Sequence, residues 1–284
     1  MARMSWREAC QLDGSLDSLQ HFFAVPPDYA QTLTGGLTNR CWKIVEHNGN
    51  AYVWRPITAI TQAFSISRVQ EYQILSAIFE HGLSPKPILI NDRGLLVDWL
   101  EGESLVEHLS FEQLLHALVS VHSLPTTRIP VAPFNFTARV DHYWMQIKPE
   151  LKTDAFATLY HDWRKAPSLA EVPATLCHFD MAGYNMVQSE QGAKIIDWEY
   201  ATIGDPRLDL TLSIDVSGVN EIEAIQQYCQ LRNIEGIDDW FEGIKAWRPR
   251  ANMMAMLWYL LAYQLWGDEY YLHQAELLQQ QFCN

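Results

Sequence analysis

The chain has 284 residues, of which 48% are hydrophobic and 19% charged, a balance typical of a globular protein with a sizeable core. Its 20 basic and 34 acidic residues give a formal net charge of −14, which argues against nucleic acid and anionic membranes as partners. The five scattered cysteines form no CxxC pair, so they indicate neither a disulfide framework nor a zinc site.

The sequence gives no indication of membrane insertion. The first residues, MARMSWREACQLDG, carry charges without an apolar stretch, which is not typical of a signal peptide. The most apolar run, residues 251–266, contains Asn252 and Gln264, and its 16 residues fall short of the ~20 that cross a bilayer. We therefore expect a cytoplasmic protein, and no protein partner is predicted.

The first hundred residues favour β-strands around one helix. Residues 32–56 predict a Gly-rich turn and two strands joined by a type I′ turn at Asn48-Gly49, because both residues tolerate a positive φ. Residues 63–82 have apolar positions at helical spacing. Two further short strands are expected at 88–91 and 94–100.

The remaining residues favour helices. These are expected at 111–124, at 141–152 and from about 220 onward. Within residues 176–200, however, LCHFD and AKIIDWE are typical of short strands, which indicates a β-hairpin set among the helices. The predicted fold class is α+β and two-lobed, with a β-rich N-terminal lobe at 1–98, a hinge at 99–104 and a mainly helical C-terminal lobe at 105–284. A cleft between the lobes is the expected ligand site.

Polar residues interrupt this predicted strand region in a pattern that suits phosphoryl transfer. His178 and Asp180 are followed by Asn185, and Asp197 comes twelve residues later. Phosphoryl transfer needs one carboxylate to orient or deprotonate a hydroxyl and two oxygen ligands for Mg²⁺. Asp and Asn are common in turns, but the whole combination between apolar strands favours catalysis. The chain has no GxxxxGK[ST] and no GxGxxG.

The segments HFDMAGYNMV and KIIDWEYATIGDPRLDL resemble the aminoglycoside/choline kinase-like phosphotransferases, which share the protein-kinase fold. The resemblance spans roughly residues 30 to 270 and is densest at 176–210. It implies a protein-kinase-like, two-lobed fold and implies ATP and Mg²⁺ as cofactors. By this resemblance Asp180 is the catalytic base, Asn185 and Asp197 are Mg²⁺ ligands, and His178 supports the catalytic loop.

The resemblance also assigns an ATP site to the N-terminal lobe. Arg55 occupies the strand position where protein kinases carry Lys, and Glu71 is its expected partner on a helix. Residues 95–105 correspond to the hinge that would hold adenine, with Asp98 and Leu100 as contact residues. The segment TGGLTNRCW corresponds to the loop that covers the phosphates, which implicates Gly35, Gly36, Leu37, Thr38 and Asn39.

The expected phosphate acceptor is a small cationic alcohol. Aromatic ring faces attract a desolvated cation by ~2 kcal/mol or more, and the chain has 11 Trp and 12 Tyr. A Trp or Tyr on a core helix is more often part of the packing. The predicted acceptor-binding residues are Glu199, Tyr200, Trp258 and Trp266.

The sequence leaves the identity of the acceptor open. The segment VDHYWMQI at 140–147 and the compact chain favour thiamine, because bacterial thiamine kinases carry a similar YW there. The segment GDPRLDL is closer to bacterial choline kinases. Choline, ethanolamine, a sugar or an antibiotic remain alternatives. A kinase-shaped binding module without activity is disfavoured, because Asp180, Asn185 and Asp197 are all present.

Overall fold

The computed structural model describes residues 3–33 and 41–282. Its helices are α1 (Trp6–Leu12), α2 (Ala59–Ala63), α3 (Arg68–Ile78), α4 (Phe111–His122), α5 (Phe136–Gln146), α6 (Asp154–Trp163), α7 (Pro206–Ser217), α8 (Glu221–Leu231), α9 (Ile237–Trp266) and α10 (Glu269–Gln281). Its strands are β1 (Tyr29–Thr32), β2 (Trp42–Val45), β3 (Ala51–Pro56), β4 (Pro87–Ile90), β5 (Gly94–Asp98), β6 (Glu103–Ser104), β7 (Thr175–Cys177), β8 (Met186–Ser189), β9 (Gly192–Ile195) and β10 (Thr202–Gly204).

An antiparallel sheet of order β1-β2-β3-β5-β4 forms the N-terminal part of the protein. Its side chains alternate between two faces. Trp42, Trp54 and Leu96 occupy adjacent strands in register and pack with α1 on one face. Leu95 and Val97 pack with α3 on the other face. The sheet is therefore buried on both sides, and α3 lies between it and the rest of the molecule.

The turn between β2 and β3 was predicted at the correct place but with the wrong type. Only Gly49 of the Asn48-Gly49 pair has a positive φ, at 91°. Glu46 and Asn50 are joined by a backbone hydrogen bond of 2.9 Å, and Gly49 N–H donates to Glu46 at 3.0 Å. The loop is thus one residue longer than a type I′ turn, with Gly at the left-handed position that closes such loops.

The helix predicted over 63–82 is divided in the structure. The short α2 ends first, and Ser65 then takes a left-handed φ of 57°. α3 begins only at Arg68, where the Ser67 side chain accepts from the N–H of Gln70 and caps the new helix. The predicted end is correct, since Gly82 adopts the left-handed conformation after the helical residues.

The C-terminal part is mainly helical and contains two small strand ladders. β8 and β9 form a hairpin that β6 extends, and β7 pairs with β10. The two strands predicted from LCHFD and AKIIDWE therefore exist but do not pair with each other. The sequence prediction missed β8 and β10, each of which supplies the partner of a predicted strand.

The helices of the C-terminal part pack around α9, which has 30 residues. Residues 251–266 lie within α9, where much of this stretch is buried against α5, α6, α7 and α10. Across residues 3–33 and 41–282, no helix combines the length and the apolar character needed to span a bilayer. The α+β class, with a β-rich N-terminal part and a helical C-terminal part, is confirmed. The hinge at 99–104 stays a prediction.

Gly243 permits the close approach of α9 to α7. A Cβ at this position would overlap Cδ of the buried Arg207 and lie 2.9 Å from its Nε. Arg207 cannot move aside easily, since its guanidinium makes hydrogen bonds of 2.7 to 3.2 Å to Asp205. In an open helix, Gly→Ala would stabilise by about 1 kcal/mol.

Here the overlap outweighs helix propensity. We expect Gly243→Ala to lower the free energy of unfolding by about 1–3 kcal/mol, the usual cost of overpacking. Urea denaturation followed by circular dichroism would measure it. An unchanged or higher denaturation midpoint would show that α7 and α9 have room at this contact.

Candidate active site

A cavity of about 330 Å³ opens in the C-terminal part of the protein. Asp180, Asn185, Asp197 and Glu199 line it together, and most of the other lining side chains are aromatic. The described residues that line it lie between 134 and 271, and the expected ligand site in a cleft between the lobes stays a prediction. Its volume lies in the range of small-molecule sites, about 300–1,000 Å³.

The strand ladders bring three residues of the predicted constellation together. Asp180 lies in the loop after β7, Asn185 directly precedes β8, and Asp197 follows β9. Because β8 and β9 are paired, Asn185 and Asp197 flank the same end of one hairpin, where Ile196 N–H donates to the Asn185 carbonyl at 2.9 Å. The convergence depends on the β8–β9 hairpin and on the separate β7 strand.

Neighbouring side chains hold the Asp180 carboxylate in one orientation. Tyr184 hydroxyl donates to its Oδ1 at 2.6 Å, and Asn185 Nδ2 donates to its Oδ2 at 2.9 Å. Burial raises the pKa of Asp180 to about 7, the hydrogen bond from Tyr184 opposes that rise, and the charge of Asp197 adds to it. A carboxyl group with a pKa near neutrality is well matched to exchange protons with a bound hydroxyl.

His178 lies behind the cavity wall and holds the loop in place. Its ring is fully buried, and Nε2 lies 3.1 Å from the carbonyl of Ile196, so Nε2 carries the hydrogen and donates it. Burial lowers the pKa of His178, which favours the neutral ring. The histidine therefore links the loop that carries Asp180 to the residue before Asp197, and it acts on the site as a positioning residue.

Asp209 anchors the same loop, and the sequence analysis did not assign it a role. Its fully buried carboxylate accepts from the backbone N–H groups of His178 at 2.7 Å and Phe179 at 2.9 Å. His122 Nε2 lies 3.1 Å from the same carboxylate. Phe179 has a left-handed φ of 61°, unusual for a bulky residue, so these bonds stabilise a strained turn just before Asp180. The sequence feature that could have indicated the role of Asp209 is its position in the segment GDPRLDL.

Arg55 connects the N-terminal sheet to the cavity. Its Nε lies 2.9 Å from Oε1 of Glu71, so the expected pair is present, as an ion contact without hydrogen-bond alignment. Its Nη2 also donates to Asp197 at 2.5 Å and to Glu199 at 3.0 Å. One guanidinium thus contacts three carboxylates from α3 and from the segment after β9.

Arg68, which the sequence analysis did not identify, completes a buried charge cluster. Its Nη1 donates to Glu71 Oε2 at 2.5 Å and to Glu199 Oε2 at 3.1 Å. With Arg55 and Asp197 the cluster holds two cations and three carboxylates. Burial would raise the pKa of Asp197, but the charges of Arg55 and Arg68 outweigh burial and the pKa is lowered. Burial and the charge of Asp197 raise the pKa of Glu199.

The aromatic residues predicted for the acceptor separate into two groups. Tyr200 and Trp258 line the cavity and are joined by a hydrogen bond of 3.0 Å from Trp258 Nε1 to the Tyr200 hydroxyl. Trp266 is not among the described residues that line the cavity, and its ring stacks on Phe64 with centroids 5.7 Å apart. The predicted contact of Trp266 with the acceptor stays a prediction. Glu199 lines the cavity, although both arginines already contact its Oε2.

Of the residues predicted to bind the nucleotide, those that the structure describes do not line this cavity. Asp98 ends β5 and is half-buried, and burial raises its pKa. Leu100 follows two residues later and is also half-buried. Their contact with adenine stays a prediction. Residues 35–39, predicted to cover the phosphates, lie outside the described residues.

The chain is similar in sequence to a known protein family. A model described as the phosphotransferase enzyme family matches residues 30–242. A thiamine kinase of Escherichia coli O157:H7 is 26% identical over 250 residues, which cover 86% of this chain and 87% of that protein.

Two solved structures share the fold. An ethanolamine kinase of Plasmodium vivax has a TM-score of 0.73 at 15% identity, covering 98% of this chain and 89% of its own. Choline kinase LicA of Streptococcus pneumoniae has a TM-score of 0.69 at 19% identity, covering 93% of this chain and 95% of its own. LicA is also known in complex with AMP. These likenesses confirm the protein-kinase-like fold.

Because the pKa of Asp180 is raised in the folded protein, the stability of the protein should depend on pH through this group. The group has an ordinary value of 3.8 and a value of about 7 in the folded protein, so the folded state binds its proton more tightly. The stability that this proton contributes is therefore present below about pH 4 and is lost as the pH rises to about 7. Asp180→Asn should raise Tm at pH 8.5 by about 2–5 °C and change it little at pH 4.5.

Thermal melting with EDTA at the two pH values would measure this difference. Asp162→Asn, on an exposed aspartate of α6, is the matched control and should show no such dependence. An equal shift of Tm at both pH values would contradict the raised pKa of Asp180.

Proposed function

The chain belongs to the phosphotransferase enzyme family, and we propose that it transfers the γ-phosphate of ATP to the primary hydroxyl of thiamine. It is an ATP-dependent small-molecule kinase, and the choice of alcohol is the proposal. The main observation that supports this proposal is the position of Asp180 in an aromatic cavity, beside Asn185 and Asp197.

Asp180 is proposed to accept the proton of the acceptor hydroxyl as that oxygen attacks phosphorus. Its orientation is set before substrate arrives, because Tyr184 and Asn185 each bond to one carboxylate oxygen. The pKa of about 7 keeps a large fraction deprotonated at neutral pH while leaving the group basic enough to help. His178 and Asp209 maintain the loop from behind, so the carboxylate needs little rearrangement during the reaction.

Asn185 and Asp197 have the donor atoms that Mg²⁺ prefers. Asn185 directs its NH₂ group at Asp180 and so leaves its Oδ1 for a cation. Asp197 has a lowered pKa and is therefore ionised, and its side chain is 24% exposed. Its left-handed φ of 62° is a strained conformation of the kind found at functional sites. A Mg²⁺ ion held by Asn185 and Asp197 would supply positive charge to offset that of the phosphates.

Arg55 is proposed to contact the phosphates of ATP. It already lies beside Asp197, and a guanidinium donates to phosphate oxygens in paired hydrogen bonds. Glu71 and Glu199 hold it at the position where the phosphates would meet the proposed Mg²⁺ ligands. Residues 35–39, Asp98 and Leu100 complete the proposed nucleotide site.

Two observations support thiamine as the acceptor. The relatives described as thiamine kinases match most of this chain, whereas the choline and ethanolamine kinases are similar to it in fold at lower identity. The cavity also combines carboxylates with aromatic faces, which suits a thiazolium ring next to its hydroxyethyl arm. Choline or ethanolamine is the second candidate, because the neighbours in fold act on them by name.

An acceptor panel tests the proposal. Purified protein with ATP and Mg²⁺ would be assayed for ADP release against thiamine, choline, ethanolamine and kanamycin, with product confirmed by mass spectrometry. We expect kcat/KM to be highest for thiamine. A higher value for choline or ethanolamine would replace thiamine by the second candidate.

Asp180→Ala tests the proposed base. Because the remaining groups can still bind ATP, we expect kcat to fall by about 10²–10⁴-fold while the Kd for nucleotide changes less than about threefold. ADP release and isothermal titration with a non-hydrolysable ATP analogue would measure the two quantities. Asp162→Ala on the exposed face of α6 is the matched control. Near-normal kcat in Asp180→Ala would exclude Asp180 as the base.

A further inference from the structure

The cavity contains a positive charge that the proposed chemistry does not use. Arg139 lies on α5 and lines the same cavity as Asp180. Its guanidinium carbon lies 5.6, 5.9 and 5.7 Å from the ring centroids of Phe134, Tyr143 and Tyr200. Its Nη1 donates to the hydroxyl of Tyr143 at 3.4 Å. Three aromatic rings therefore surround this cation within the cavity wall.

Arg139 differs from the other arginines of the site in what it contacts. Arg55 and Arg68 each contact carboxylates, whereas no carboxylate of the described residues lies within ion-pairing distance of Arg139. A guanidinium has five N–H donors, and the long bond to Tyr143 uses one of them. The remaining donors are half-buried at the cavity, where an acceptor atom of a bound ligand can reach them.

The position of Arg139 also limits where a substrate cation can bind. The rings of Phe134, Tyr143 and Tyr200 already face the guanidinium of Arg139, so these rings would attract a second cation only weakly. A second cation placed there would be repelled by Arg139. A cationic acceptor therefore has its charge near Asp180 and Asp197, and a different chemical group meets Arg139.

We propose that Arg139 determines acceptor specificity by donating hydrogen bonds to a neutral hydrogen-bond-accepting ring on the acceptor, separate from its cation and its hydroxyl. This inference rests on the proposed kinase function and narrows its substrate class. An alcohol that also has a nitrogen-containing aromatic ring, such as the aminopyrimidine of thiamine, can interact with both regions of the cavity. Its cation and hydroxyl would lie near Asp180 and Asp197, and its ring nitrogens would accept hydrogen bonds from Arg139. Choline and ethanolamine carry no such group, and binding either of them would leave the Arg139 donors without a partner.

A comparison of two acceptors isolates this contact. Thiamine is compared with 3-benzyl-5-(2-hydroxyethyl)-4-methylthiazolium, which keeps the cation, the hydroxyl and a second ring but replaces the pyrimidine by a benzene ring. In the wild type we expect thiamine to have the higher kcat/KM. In Arg139→Met we expect kcat/KM for thiamine to fall about 10- to 100-fold, mainly through KM, since a hydrogen bond from a charged donor is lost. The value for the benzyl compound should change less than about threefold.

Two further variants serve as controls. Arg139→Lys retains the charge but not the planar fork, and it should recover only part of the preference for thiamine. Arg128→Met, on an exposed arginine outside the cavity, should leave both acceptors unchanged. Turnover of the benzyl compound by Arg139→Met, together with its Tm, reports whether the variant is folded.

The results distinguish the proposed role of Arg139 from the proposed kinase function. Equal losses with both acceptors would overturn the specificity role of Arg139 while leaving the kinase function in place. A wild type that phosphorylates choline faster than thiamine would also overturn this role. An absence of turnover with thiamine, the benzyl compound and choline would overturn the proposed function, and the inference with it.

Discussion

A buried cluster of charges joins the two parts of this protein. Arg55 comes from the sheet, Arg68 and Glu71 come from α3, and Asp197 and Glu199 follow β9. Burying five charged groups is costly unless each is paired, and here each guanidinium contacts at least two carboxylates. The arrangement fixes α3 against the segment that leads into the cavity. It also sets the pKa of Asp197 below its ordinary value, so the residue is ionised beside the loop that carries Asp180.

A second buried group determines the shape of the loop that carries Asp180. Asp209 accepts from two successive backbone N–H groups, one of which belongs to Phe179 in a strained conformation. A carboxylate with no exposed surface cannot exchange these partners for water, so the bonds keep the turn in its unusual geometry. Asp180 is thereby held in the cavity by contacts made behind it, while Tyr184 and Asn185 each donate to one of its carboxylate oxygens.

The cavity has charges of both signs, and this arrangement connects the proposed catalysis with the proposed specificity. Carboxylates lie beside the position where the hydroxyl would react, and Arg139 lies among aromatic rings in the same wall. A simple quaternary ammonium alcohol satisfies only the first of these regions. An alcohol with both a cationic ring and a hydrogen-bond-accepting ring satisfies both, which supports thiamine more directly than the overall acidity of the chain does.

Local sequence patterns determined the α+β class and most of the strands and helices, and they put Asp180, Asn185 and Asp197 in one short segment, because spacing and turn chemistry act over a few residues. Tertiary structure alone decided which strands pair and which side chains meet. Arg68 and Glu199 are 131 positions apart, His122 and Asp209 are 87 apart, and no local pattern relates them. Trp266 shows the same limit, since its aromatic character predicted a ligand contact, whereas its stacking on Phe64 is visible only in the tertiary structure.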